Sequence, residues 1–280
     1  MKKIVILLAV LMLGGCSTKF AYKNADWLVH WFIDDYVDLT RTQKDQFDAD
    51  FANWLSWHKQ TQLPLYLAHF EELTSDIATQ NISIARMEYH QEKARDHWVR
   101  VRSHVTPDLV KLAATMSDEQ VDDFFTALEK ENKKDEKERL ERAERSEEKR
   151  RDRWIKRNID NLENWLGKLN DEQITLIENR YDNFTSNGML WIDYRRRYQA
   201  AMREVFDVPD RGEAFAQAML TLLNDPDVYR SDEMQTRSAA NEEASRYYLL
   251  SLFTYSTDKQ RQHLIKEINK WRDDVVDLLE

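Results

Sequence analysis

From Asp26 onward, apolar residues recur every three or four positions between charged and amide side chains, which is the spacing of one helix face. No segment carries a convincing strand or hairpin signal. The pattern predicts an all-α protein of roughly ten helices joined by short connections. Residues 16–24 are read as a short tether, with 25–128 as an N-terminal helical half and 154–280 as a C-terminal one.

A small polar residue followed three positions later by Gln occurs four times, as Leu39-Thr40-Arg41-Thr42-Gln43, Met116-Ser117-Asp118-Glu119-Gln120, Leu169-Asn170-Asp171-Glu172-Gln173 and Ser256-Thr257-Asp258-Lys259-Gln260. Each is a capping box: the Thr, Ser or Asn oxygen accepts from a first-turn amide, and the Gln reaches back to the cap. Four helix starts follow. The first and third boxes lead into similar residues, Phe47 and Phe51 against Ile177 and Tyr181, and further on Trp57 and Tyr66 match Trp191 and Tyr198 loosely. This suggests an old duplication. Thr106-Pro107 and Asp210 with Glu213 are further expected starts, while Gly188, Pro209 and Asn224-Asp225-Pro226 are expected turns.

Between Glu129 and Arg153 nearly every residue is charged, and only Leu140 and Ala143 offer apolar surface. Acids precede bases at i,i+4 in Glu129/Lys133, Glu138/Arg142, Glu141/Arg145 and Glu147/Arg151, each pair worth about 0.2–0.5 kcal/mol to a helix. The expectation is a long charged, solvated helix over 129–153 bridging the two halves. A disordered linker and a docking surface for a charged partner are the rival readings.

The N-terminus changes the picture. Lys2 and Lys3 precede the apolar run Ile4 to Leu13, which is too short for a bilayer needing about 20 residues. Leu13-Gly14-Gly15-Cys16 then resembles the lipobox of bacterial lipoproteins. That resemblance implies removal of residues 1–15 as a signal peptide and a diacylglyceryl and acyl chain (palmitate-type) on Cys16. Each buried methylene contributes roughly 0.8 kcal/mol, so several chains anchor stably where one does not. Ser17 stands where retained inner-membrane lipoproteins carry Asp, so the sorting resemblance implies the outer membrane, on its periplasmic face.

Composition agrees with a helical, water-exposed body: five glycines and four prolines in 280 residues, and a formal charge of -10 that becomes -12 without Lys2 and Lys3. Acidic balance disfavours nucleic acid as a partner. Cys16 is the only cysteine, so no intramolecular disulfide can form and the core must hold the fold.

Candidate chemistry is sparse. His90, His97 and His104 lie seven apart on one side of an expected helix, each step about 10.5 Å of rise, too far to share one ion. They are expected to flank an apolar stripe of Ile84, Met87, Ala94, Trp98, Val101 and Val105. Adjacent Asp34-Asp35 and Asp273-Asp274 point to different helix sides, a poor arrangement for paired acid and base. No Gly-x-Ser-x-Gly, no phosphate loop and no nucleophilic cysteine occur, so no catalytic residue, cofactor or metal is assigned. Trp27 and Trp31, one turn apart and close to Cys16, form a candidate membrane or partner face; docking on the body is favoured over insertion among headgroups, because Asp34 and Asp35 would face anionic lipid. Trp54 and Trp57 are expected in the core. Arg195, Arg196 and Arg197 between Tyr194 and Tyr198 are a candidate clamp for an acidic ligand, with a solvated, ion-paired basic face as the favoured alternative.

Asp26-Trp27-Leu28, Asp34-Asp35-Tyr36-Val37-Asp38-Leu39-Thr40 with Gln43, Trp57-His58 and Leu63-Pro64 resemble an uncharacterised family of Gram-negative helical lipoproteins, and the resemblance supplies no activity. The Leu-Thr-x-x-Gln signature is also similar to that of small periplasmic stress chaperones. The expected function is therefore a non-catalytic binding or scaffolding domain, chaperone-like toward an unfolded client. A peptidoglycan-acting enzyme with a buried carboxylate and a tether within an envelope complex are the alternatives.

Overall fold

The computed structural model describes residues 16–280; the signal peptide expected over 1–15 lies outside the described residues, as does the Cys16 side chain. Every regular element described is helical, and the fold is all-α. The helices are α1 (Cys16–Lys23), α2 (Ala25–Ile33), α3 (Arg41–Trp57), α4 (Leu63–Ala78), α5 (Ile84–Ala114), α6 (Asp118–Ala143), α7 (Glu147–Leu166), α8 (Asp171–Asn183), α9 (Gly188–Phe206), α10 (Glu213–Asn224), α11 (Asp232–Thr254) and α12 (Asp258–Leu279). A π-turn, His58–Gln62, joins α3 to α4, and a 3-10 turn, Pro226–Tyr229, precedes α11.

All four capping boxes form, at Thr40/Gln43, Ser117/Gln120, Asn170/Gln173 and Thr257/Gln260. They also do something no local rule predicts: the boxes meet in pairs. Gln43 and Gln120 donate to each other's Oε1 at 3.1 and 2.8 Å, while their second amide hydrogens go to the Thr115 and Asp38 carbonyls at 3.0 and 2.7 Å. Gln173 and Gln260 repeat the clasp at 3.3 and 2.8 Å, with the Leu252 and Lys168 carbonyls at 3.2 and 2.9 Å. The duplication suspected from sequence thus has a structural counterpart, and Phe47 and Ile177 occupy matching buried places after their boxes.

Several expectations are corrected. The tether expected over 16–24 is helix α1, because Ala21 is buried and Lys19 pairs with Asp277 of α12 at 2.5 Å. The charged stretch 129–153 is not one bridge: α6 ends at Ala143, and Ser146 caps a new helix by accepting from the Lys149 amide. Nor is its inner face solvated, since Asn132 (1% exposed) and Asp135 are buried against α9. Pairing with a second helix lets this polar stretch bury a face that hydrophobicity alone would leave in water. Thr106-Pro107 starts nothing, and α5 runs through it, although an interior proline costs about 3 kcal/mol. Neighbouring Val110 packs with Val121, Phe206, Phe215, Met219 and Leu222, and that apolar cluster holds the helix across the proline. The start expected at Asp210 falls at Gly212, which offers no side-chain cap, and Gly188 opens α9 instead of standing in a free turn.

The two halves are joined by more than the charged stretch. α12 lies along α4, where Leu63, Val275 and Leu278 are buried together, and α10 packs on α5.

Candidate functional site

α1 and α2 are almost one helix, for the Asn24 amide still reaches the Phe20 carbonyl at 3.1 Å and the Leu28 amide reaches Asn24 at 3.0 Å. Along it Phe20, Trp27 and Trp31 follow at i, i+7 and i+11, which is one helical face. They are 63%, 61% and 51% exposed. The two tryptophans are more exposed than docking on the body, the favoured expectation, would leave them. The helix uses its other side for that, through Ala21, and through Tyr22 beside His58 and Leu63.

Arg195, Arg196 and Arg197 do not converge on a shared ligand position. Successive residues on α9 point about 100° apart, and each guanidinium is engaged. Arg195 is buried and donates to Asp135 at 2.6 Å; Arg196 bridges Glu129 at 3.2 Å and Glu136 at 2.8 Å; Arg197 pairs with Asp193 one turn back. The ion-paired reading is the right one, except that Arg195 is not solvated.

Sequence reasoning missed the most connected polar assembly. His69 of α4 stands between two histidines of α5, with Nδ1 at 3.2 Å from His97 Nε2 and Nε2 at 3.0 Å from His90 Nδ1. His90 Nε2 continues to Asp76 Oδ2 at 2.8 Å, and Arg100 donates to His97 Nδ1 at 2.6 Å. The histidines of α5 therefore do not merely flank an apolar stripe. His90 and His97 face α4, while Trp98 of the expected stripe lies exposed. His104, the third of that spacing, stacks on Trp57 with centroids 3.7 Å apart. A seven-residue repeat of histidine signalled a common face; nothing local named its partner His69.

Acids and bases flank this chain. Glu72 takes Lys93 and, at 2.5 Å, Arg86, while Asp76 takes Arg86, His90 and the Asn81 amide at 2.9 Å. The Lys93 hydrogen bond outweighs desolvation and holds Glu72 down to about 2. Burial pushes Asp76 up, but hydrogen bonds from His90, Arg86 and Asn81 hold it below the ordinary value. Burial, then repulsion from His97, His90 and Lys93, takes His69 down to about 4. His97 is lowered by burial and by Arg100. Beside it, His58 lies 3.2 Å from both the Tyr22 and Tyr66 hydroxyls, and burial lowers it to about 4.

Among the described residues no group of three or more His, Cys, Asp or Glu has the geometry to hold a metal ion, and no helix is long and apolar enough to cross a membrane. An open cleft of about 800 Å³ beside α6 is lined by Phe125, Lys130 and Lys133 among others, but its Arg203 is committed to Asp122 at 2.6 Å.

Fold and site together describe an all-α protein with paired capping boxes, an aromatic face on its first helices and a histidine seam between two others. The chain belongs to a family of unknown function (DUF6279), whose profile matches residues 35–235. No curated protein and no solved structure matches it.

Proposed function

We propose that the protein is an outer-membrane lipoprotein whose periplasmic helical body serves as a non-catalytic scaffold, lying close against the lipid surface. One observation carries this reading: the exposed stripe Phe20, Trp27 and Trp31 belongs to the helical segment that starts at Cys16, and that segment is fastened to the body through Lys19–Asp277 and buried Ala21. Acyl chains on Cys16 and indoles a few turns away then address the same interface, where aromatic rings sit favourably at headgroup level. A short, helical attachment holds the body near the membrane and gives it little radius in which to search for clients.

The resemblance to stress chaperones contributes less than the sequence suggested, because the four glutamines of the boxes are engaged with each other. A peptidoglycan-acting enzyme would need a carboxyl raised within a cleft. Asp76 and Asp135 are instead ion-paired, and Asp274, which burial and Asp277 push up, sits on α12 near Lys19.

The test is fractionation of cells making the full chain or Cys16→Ser, with inner and outer membranes separated by density. The expected result is sedimentation of the unchanged chain with the outer membrane and transfer of Cys16→Ser to the soluble periplasmic fraction. Unchanged sedimentation of Cys16→Ser would overturn the anchor. Crosslinking of the anchored chain is expected to give one stoichiometric envelope partner; dispersed adducts to many unfolded proteins would return the client-binding reading.

A further inference from the structure

We infer that His69, His90 and His97 form a proton-operated latch, which fastens the N-terminal half of α5 to α4 while all three rings are neutral and releases it when the chain takes up a proton.

The direction of every hydrogen bond follows from the two ends. The Arg100 guanidinium has only donors, so His97 Nδ1 must accept and the ring proton of His97 sits on Nε2. That proton is donated to His69 Nδ1, 3.2 Å away, which leaves the His69 proton on Nε2. It is donated in turn to His90 Nδ1 at 3.0 Å, and His90 Nε2–H ends on the Asp76 carboxylate at 2.8 Å. Three neutral rings, all in the Nε2–H form, satisfy every bond. An added proton can enter only at an Nδ1, and each Nδ1 already accepts. Protonated His90 would gain attraction to Asp76 but turn two N–H groups toward each other at His69. At His69 the conflict would be with His97, and at His97 with Arg100.

Other charges facing the chain are already matched, Asp96 excepted. From α4 come Glu72 and Tyr66, the latter edge-on to His97 at 4.7 Å. From α5 come Arg86 and Lys93, both paired with Glu72, Tyr89, which donates to Glu72 at 3.1 Å, and Asp96, which acts on His97 through space. The π-turn contributes His58 on Tyr66 and Gln62 on Arg100 at 3.3 Å. On the outer side of α5, Glu88 pairs with Arg246 of α11 at 3.3 Å and Arg95 with Asp227 at 3.6 Å, away from the seam. Of these carboxylates only Asp96 favours a cation on His97, against burial, Arg100 and Lys93, which all disfavour it.

Release is local because of how the apolar contacts are distributed. The buried residues of α5 are Thr106 and Val110, both in its C-terminal half, and Val110 belongs to the large apolar cluster with α9 and α10. Residues 84–100 contribute no buried side chain, so what holds them to α4 is polar: the seam together with the pairs of Arg86 with Glu72 and Asp76 and of Lys93 with Glu72. The apolar face of α4 is turned to α12 instead. Breaking the seam therefore loosens one half-helix, leaving it on surface ion pairs alone, and leaves both cores in place. The sign is fixed by the neutral requirement: an imidazole held below its free value of about 6.5 contributes fully above that pH and loses its contribution as pH falls toward about 4.

The experiment uses the full chain with 15N-labelled histidine. At pH 7.5 ring spectra are expected to show His69, His90 and His97 neutral and protonated on Nε2. Amide hydrogen exchange, corrected for its intrinsic pH dependence, should show protection across 84–100 falling at least tenfold between pH 7.5 and pH 5, with 106–114 unchanged. In His69→Phe, which keeps bulk and removes both nitrogens, protection over 84–100 should be low at both pH values. A His69 that is cationic or Nδ1-protonated at pH 7.5 would overturn the latch, whether or not the variant folds. So would protection that is flat with pH in the unchanged chain, or that falls equally over 106–114.

Discussion

The amide of Gln173 and the amide of Gln260 face each other across two helix starts 87 residues apart, each side chain donating to the other's oxygen. Each oxygen also accepts from the backbone amide of its own cap residue, at 3.1 Å for Asn170 and 3.0 Å for Thr257. One carboxamide thus closes a local turn and a long-range contact together, and its second amide hydrogen ends on a backbone carbonyl. No donor in the pair is left over.

Gln173 is fully buried, so Gln173→Ala removes its hydrogen bonds, stranding one amide hydrogen of Gln260 and taking the side-chain bond from the Leu252 carbonyl. A buried group left unpaired costs about 1–3 kcal/mol, and the midpoint of urea unfolding should fall accordingly. Gln173→Glu should be worse than Gln173→Ala at pH 7, because it desolvates a charge beside the Gln260 oxygen. Equal midpoints for the two variants would count against the clasp.

Arg195→Met should destabilise by about 3 kcal/mol, toward the lower end for breaking a buried pair, because Arg139 still reaches Asp135 at 3.3 Å. Combining it with Asp135→Asn should recover part of the loss, since the stranded charge disappears with its partner. A double-mutant cycle by denaturant titration reads this directly; strictly additive losses would mean the two side chains do not act as a pair.

Gly167 closes α7 at φ 73°, ψ -160°, a region that side chains other than glycine's hardly enter. A β-carbon there would meet His263 only at 3.8 Å, ordinary contact, so the expected penalty is backbone strain alone. Gly167→Ala should cost about 1–3 kcal/mol in thermal or chemical unfolding. An unchanged midpoint would show that the α7–α8 turn adopts another conformation.

What could be read along the chain is what depends on neighbours three or four residues apart. Cap, first turn and returning Gln belong to one helical turn, so Thr40/Gln43, Ser117/Gln120, Asn170/Gln173 and Thr257/Gln260 were all legible, and with them the all-α class. Of the acid–base pairs expected over 129–153, Glu138/Arg142 forms, while Glu129 turns to Arg196, Glu141 to Lys137 and Glu147 to Arg150. Burial in this stretch was not legible: Asn132 and Asp135 look like surface residues until Gln199 and Arg195 arrive from α9. Pro107 misled because its local cost is outweighed by apolar packing around Val110, and the exposure of Trp27 and Trp31 was not legible because it depends on Ala21 and Tyr22, on the other side of the helical segment, meeting the body. The histidine seam lies furthest beyond sequence. His69 meets partners 21 and 28 residues away on another helix, and a spacing of seven on α5 fixes a face without saying what it faces. Periodicity determines how each helix is striped; which stripes are brought together, and hence where protons and charges are shared, is decided only when the helices pack.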